Sequence, residues 1–515
     1  MSICTKIVHV SADMCMETIQ IDDVIWPALT LWKFKRPPGV DRRRDVRPQS
    51  REGGSMNEVR FIAATGALGV GVNAAALDRA LALRPHFIAA DAGSTDPGPF
   101  ALGGGVPAFS RAAVKRDLTA IMAARDKVGI PALIGSAGTA GGDPHVDWVV
   151  DIVREIAGEF GQSFRLAVIR SEQDPAYLEG LYAEGRIRPL DPAPEIDAGT
   201  FRRSERIVGM MGVEPLQAAL AAGADMVVAG RCSDSALYAA MPIAEGLPEG
   251  LAWHAGKVAE CGTMSCIGGR GVLTGVITAD AAVLRPVGDN IRATPLSIAA
   301  HSLYEAADPF LQKESSGTLD LTASTYEALD ETAVRIRGSA FQPTDEYTVK
   351  LEGAERVGFQ TIMIGGIRDP FILQRLDTWL EEIRTYVGDL AERLLGVTLG
   401  RDVKLVFHVY GDNGVTVGRK PVSATPPREV GIVVEATAPT QEIATDVVKL
   451  TRQPFLHHGV PEWMGAITGF ACLHNPAQLE RGAVYRFNLN HVAIPRTKDE
   501  MFRTAFHTFR DGVAQ

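Results

Sequence analysis

Three short stretches of the chain hold the residue types that acid–base chemistry and anion binding require. The first runs Asp91-Ala92-Gly93-Ser94-Thr95-Asp96-Pro97-Gly98-Pro99 and on to Gly103-Gly104-Gly105. Its glycines let the backbone approach a ligand, while Ser94, Thr95 and Asp96 offer hydroxyls and a carboxylate. The second is Gly135-Ser136-Ala137-Gly138-Thr139-Ala140-Gly141-Gly142-Asp143-Pro144-His145-Val146-Asp147. Asp143 reads as a helix N-cap with Pro144 at the first helical position, a role that leaves catalysis open. The amides of such a helix start favour a carboxylate or phosphate, and His145 stands in the first turn as an acid or base. The third is Gly230-Arg231-Cys232-Ser233-Asp234-Ser235. Arg231 offers a bidentate grip on a carboxylate or phosphate, and Asp234 is either a further proton-transfer group or a helix cap.

A fourth position is Glu260, which closes the segment LAWHAGKVAECG with Gly262 placed as its C-cap. A carboxylate there opposes the helix dipole, which points to a task for it. The expected proton-transfer residues are therefore Asp96, Asp143, His145, Asp234 and Glu260. Gly93, Ser94, Thr95, Ser136, Gly138, Thr139 and Arg231 are the expected substrate contacts. Replacing Asp96 or Arg231 is expected to abolish turnover and to leave the melting temperature nearly unchanged.

Other chemistries find less support. Cys232 and Cys261 lack a visible His base, since His254 lies seven residues before Cys261 on one helix, about two turns away. The carboxylates leave room for a divalent cation, but no H-x-x-H or comparable spacing favours a metal. Gly66, Gly69 and Gly71 are spaced G-x-x-G-x-G rather than G-x-G-x-x-G, and no G-x-x-x-x-G-K-[ST] occurs. Neither an NAD nor an ATP motif is present, and the cofactor is left unknown. Tyr410-Gly411-Asp412-Asn413-Gly414 reads as a turn, and His457, His458 and His474 as packed or solvated residues.

The elements that must position these loops are strands alternating with amphipathic helices. Strands are expected at 59–64, 86–91, 131–135, 164–170, 206–210 and 225–230, with helical segments such as SRAAVKRDLTAIMAARDKV between them. The runs are continuously apolar, as in a parallel sheet covered on both sides. The expected fold is an α/β domain over 56–354, an open, mostly parallel sheet with helices on both faces. In such sheets ligands bind beyond the carboxyl ends of the strands, where the polar loops lie. The region 300–350 is expected to hold strands flanking a short helix. From 359 the order becomes β-α-β-β-α-β, predicting a smaller ferredoxin-like α+β domain over 355–492 and a tail over 493–515. Residues 1–55 carry Arg42-Arg43-Arg44 among prolines and polar residues. They read as a disordered extension or a start placed too far upstream.

Composition narrows the function classes. The 515 residues are 46% hydrophobic and 22% charged, with a formal charge of −10, the profile of an ordinary globular protein. That charge does not suit nucleic acid or an anionic membrane surface. The six cysteines form no C-x-x-C pair, and neither a signal peptide nor a membrane span is visible. A cytoplasmic protein is expected.

Together ATGALGVG, ADAGSTDPGP, IGSAGTAGGDPHVDW, VVAGRCSDSALYAA, LAWHAGKVAECG, GGIRDP and RGAVYRFNLNHV resemble the acyclic terpene utilisation family over nearly all of 57–492. The resemblance implies kinship with proteins from bacterial gene clusters that degrade citronellol and geraniol through acyl-CoA intermediates. It also implies, for longer members, a small companion protein of about 100 residues encoded alongside. No catalytic residues carry over from the family. The leading expectation is a lyase, a hydratase or dehydratase, or else an isomerase, acting on a small carboxylic acid or its acyl-CoA ester. The alternative is a non-catalytic or half-site subunit completed by the companion. A homo-oligomer is expected in either case.

Overall fold

The computed structural model describes residues 56–412, 414–415, 427–462 and 465–515. The expectations for residues 1–55, and for Asn413, lie outside the described residues. Residues from Ser55 onward form one compact unit.

Five parallel strands lie at the centre of an 11-stranded sheet, in the order Glu58–Ala63, Phe87–Asp91, Ala132–Gly135, Met226–Ala229, Phe164–Arg170. Their side chains alternate between two cores. Phe61, Phe87, Leu133 and Val227 face one core with helices Ala236–Ala244 and Glu249–Ala259. Ile62, Ile88, Ile134 and Val228 face the other with helices Arg111–Val128 and Asp143–Phe160. Helices thus cover both faces, as the continuously apolar strands required.

The sheet as a whole is mixed, not mostly parallel. Strand Gly271–Thr278 pairs antiparallel with Glu58–Ala63, and Ala282–Gly288, Val334–Arg337 and Thr325–Ala328 extend that edge in the same sense. On the other edge Arg503–Arg510 pairs antiparallel with Phe164–Arg170. The segment expected to be a tail is therefore part of the sheet, holding Phe509 stacked on Phe164 at 4.7 Å. The stretch 311–343 is a set of short strands, and the helix Pro295–Ser302 precedes them.

The second sheet runs Lys404–Tyr410, Val430–Ala438, Val349–Ile367, Gln478–Ala493, Ile187–Pro189, with every pairing antiparallel. Helices Leu376–Leu395 and Gln441–His457 cover one face, burying Trp379, Val447 and Phe455 against Ile432 and Val434. Strand Ser204–Met210, which the sequence places in the first sheet, instead pairs with Val349–Ile367 in the second. The expected boundary at 354–355 falls inside that 19-residue strand. The chain thus passes from the first sheet to the second after Arg170, back by Met226, out again after Arg337, and back by Arg503. Among the described residues no helix is long and apolar enough to cross a membrane.

Candidate functional site

The three polar loops leave the same edge of the first sheet, because the strands ending at Asp91, Gly135 and Ala229 are parallel neighbours or next neighbours. Each loop is shaped by its own residues. Asp91 Oδ2 accepts from the Gly93 amide at 2.7 Å, and Ser94 Oγ donates to Asp96 Oδ2 at 2.6 Å, which turns the first loop back on itself. The second loop puts Ser136 and Thr139 at φ +47° and +89°. Such backbone is costly for a β-branched residue and persists where surrounding contacts impose it, commonly at functional sites.

Arg231 is the centre. Its Nε donates to Glu352 Oε2 at 3.0 Å, and its Nη1 to Asp234 Oδ1 and Ser136 Oγ at 3.2 Å each and to the Cys232 carbonyl at 3.1 Å. Its backbone amide donates to Ser171 Oγ at 2.6 Å, and Ser171 in turn donates to the Gly141 carbonyl at 2.9 Å. Only Nη2 donates to no described protein group. The bidentate grip expected of this residue is therefore not available, because the rest of the fork is taken up within the protein. Nor can its replacement spare the fold, since a side chain 6% exposed holds the carboxylate of Glu352, itself 7% exposed.

Around this cation stand four carboxyls that burial pushes up. Asp91, at the end of its strand, lies well above the usual carboxylate range, through burial first and then the charge of Asp234, with Arg231 opposing. Its Oδ1 is buried with no hydrogen-bond partner. Asp234 is raised by burial against the opposing pull of Arg231. Glu260 is raised to about 7, again by burial, with Lys257 opposing. It accepts from Lys257 Nζ at 2.7 Å and from Ser235 Oγ at 2.8 Å. Glu314, beside Ser233, is raised by burial to about 8. Glu352 goes the other way: burial pushes it up, but Arg231 and Lys350 outweigh that and bring it down to about 2. Groups poised on either side of neutrality in one place are what proton transfer needs. The cluster opens to solvent at Asp234, 26% exposed, and at the exposed Asp96, whose charge adds to the rise of Asp234.

The structure thus brings together Ser136, Arg231 and Asp234 directly, Glu260 through Ser235, and Asp96 at the mouth. The other expected residues lie elsewhere or pack. Gly93 sits against Thr139, 3.0 Å from where its Cβ would be, Thr95 is buried, and Gly138 lies against His145. Asp143 is not the N-cap of its helix, because Gly142 holds that position and Asp143 begins the first turn. The Asp143 amide donates to Glu172 Oε2 at 2.7 Å, so Glu172 caps the helix from outside. The Asp143 carboxylate pairs with Arg503 at 3.1 Å and Arg170 at 3.5 Å. His145 is wholly buried with Nε2 3.3 Å from the Val106 carbonyl, and burial lowers its basicity. Among the described residues no hydrogen bond or ion pair joins Asp143 or His145 to the Arg231 cluster. Asp234 does not cap the following helix either, whose N-cap Ser235 turns its hydroxyl to Glu260.

Nothing in the spacing of Glu314, Glu352, Lys350 and Ser171 marks them for the site, and from sequence Asp91 is only the first residue of its loop. The charged ones lie far along the chain or inside apolar runs, and strand alternation around Leu351 gave the one available signal for Glu352. The cysteines carry little: burial raises the Cys232 thiol beyond its ordinary range and the Cys261 thiol to about 12. His254 is enclosed by Ser339 and Ser302 at 2.7 and 2.8 Å. Among the described residues no group of three or more His, Cys, Asp or Glu is arranged to hold a metal ion. In the G-x-x-G-x-G loop, the amides of Gly69 and Gly71 donate to Asp117 Oδ2 and that of Val72 to Oδ1. In the second sheet, His458 Nε2 meets Glu382 at 2.9 Å and His457 Nδ1 the Ala466 carbonyl at 2.9 Å.

The family model described as acyclic terpene utilisation family protein AtuA matches residues 111–274 and 279–493. No curated protein and no solved structure matches the chain.

Proposed function

The chain belongs to the acyclic terpene utilisation family, and from that premise we propose that it is a catabolic enzyme that adds water to, or removes it from, a small carboxylic acid or its acyl-CoA ester. One observation carries the reading: several carboxyls raised toward or past neutrality surround Arg231 and Lys257 at the carboxyl edge of a parallel sheet. Dehydration needs a base to take a proton from carbon, an acid to protonate the departing hydroxyl, and a donor for the developing oxyanion. Asp234, open to solvent and bonded to Arg231, takes the first role. Glu260, titrating near 7 beside Lys257, takes the second. Arg231 Nη2 holds the carboxylate or thioester oxygen, with Ser136 steadying the guanidinium and Ser94 and Asp96 at the entrance. Isomerisation would use the same groups without releasing water. Asp143 and His145 are left to hold the start of their helix. We also read the second sheet as a ferredoxin-like unit, supported by its β-α-β-β-α-β order and all-antiparallel pairing.

The test incubates the full chain with short enoyl- and hydroxyacyl-CoA esters and the free acids in ¹⁸O-labelled water, following label in the product by mass spectrometry. The expected result is incorporation by the wild type that is lost in Asp234→Asn. Absence of label from every member of the panel overturns the hydro-lyase reading. If label then appears only with the small companion present, the half-site reading takes its place.

A further inference from the structure

A groove of about 710 Å³ is walled on one side by the loop after the strand Glu58–Ala63 and on the other by residues 261–271, which follow Glu260 in the chain. It is larger than a small carboxylic acid requires and lies in the size range of cofactor sites. Arg116 and Arg270 line it, and no acidic residue does among the described ones. In a chain of formal charge −10, two guanidiniums lining one hollow are a specific feature. Arg116 is anchored by Nε to Asp117 at 2.9 Å, which leaves its terminal nitrogens free and 59% of the side chain exposed. Asp117 is fully buried and does not line the groove; it partly offsets the charge of Arg116 and leaves Arg270 as the unpaired cation among the described residues. The Arg270 side chain has no hydrogen-bond or ion-pair partner among the described residues.

Apart from Asn73, the rest of the wall is small or apolar. Gly66 approaches the Cys261 carbonyl so closely that a Cβ would lie 2.3 Å from it, which keeps the floor flat. Met264 and Val70 are 74% and 57% exposed at the rim, surface that a flat ring would cover. Cys261 lines the groove and directly follows Glu260 in the chain.

We propose that this groove binds a nucleotide-sized ligand by its phosphate groups, which lie between Arg116 and Arg270 while its ring covers Met264 and Val70. The pairing follows from charge-assisted hydrogen bonds, which guanidinium forms with phosphate in a planar fork. The inference extends the reading above, for which it supplies the handle of an activated acid, but its test reads binding alone. A negative result leaves the labelled-water experiment untouched.

Isothermal titration of the full chain with adenosine 3′,5′-bisphosphate, ADP and pyrophosphate distinguishes the sources of such a phosphate. Preference for the 3′,5′-bisphosphate indicates a CoA-type handle and preference for ADP a free nucleotide, whereas equal binding of pyrophosphate overturns the nucleotide-sized ligand in favour of phosphate alone. Affinity should fall roughly tenfold or more in Arg270→Ala and with added salt, and should be unchanged in Asp234→Asn. Thr263→Glu, which adds a carboxylate to the groove without removing an arginine, should weaken it as well. Arg270 holds no buried partner, so its loss leaves the fold intact. Failure of all three probes to bind, or binding that survives Arg270→Ala, overturns the proposal.

Discussion

Arg231 and Glu352 stand on different sheets and meet through a buried Nε–Oε2 contact of 3.0 Å. Glu352 belongs to the long strand Val349–Ile367, and Arg231 to the loop after Met226–Ala229. The site and the junction between the sheets thus share one ion pair.

Removing one partner leaves the other buried with a single remaining counter-charge, Asp234 for Arg231 and Lys350 for Glu352. Arg231→Met is expected to destabilise the protein by about 3–5 kcal/mol, and Glu352→Leu by a similar amount. The double variant should regain part of that loss, because both charges go together. Urea unfolding of the four proteins measures the coupling, and purely additive losses would show that the pair contributes nothing as a pair.

Glu260 makes stability depend on pH in a defined direction. Its carboxyl titrates at about 7 in the folded chain and near 4.3 when unfolded. The folded state holds the extra proton between these values, so the contribution is complete below the lower one and is lost as pH rises through the higher. Glu260→Gln should remove roughly 1–3 kcal/mol of that loss. Its melting temperature should therefore gain on the wild type from pH 5 to pH 8. Parallel curves would mean that Glu260 is not held protonated.

Asp96 and Asp234 separate reaction from stability better than Arg231 does. Asp96 is exposed, so Asp96→Asn should shift stability by no more than about 0.5 kcal/mol. Asp234→Asn keeps an acceptor for Arg231 and should cost about 1–2 kcal/mol. In the ¹⁸O assay the Asp234 variant should lose a hundredfold or more. Full activity in that variant would remove Asp234 from proton transfer.

Gly141 is a backbone requirement of the site. It lies at φ +71°, and a Cβ there would come 2.1 Å from the Arg231 amide nitrogen. Gly141→Ala should destabilise by more than about 1 kcal/mol and displace Arg231 from Ser171. Denaturant unfolding measures the first, and loss of label incorporation reads the second.

The parallel centre of the first sheet was legible because Phe61, Ile88, Leu133 and Val227 fall in uninterrupted apolar runs. Its antiparallel flanks were not, because strands such as Arg503–Arg510 expose four of their first residues and show no clean alternation. The polar loops were visible from their glycines and carboxylates. Which carboxylates converge depends on tertiary pairing, so Glu314 and Glu352 could not be found by spacing, and Asp143 and His145 were grouped with residues they do not join. Arg231 was found, but its surroundings were not: a guanidinium reads from sequence as free to bind.

The four passages of the chain between the sheets have a mechanical consequence. Two bodies joined by one linker can swing about it, but two sheets stitched at four points along the chain and by the bridges Glu172–Val208 and Met211–Cys232 cannot rotate apart without breaking hydrogen bonds. Exposing the acid cluster by hinge motion between the sheets is therefore closed to this architecture. Traffic into the acid cluster must come from rearrangement of the loops at its mouth, around Asp96 and the segment after Glu260, while the scaffold beneath them stays still.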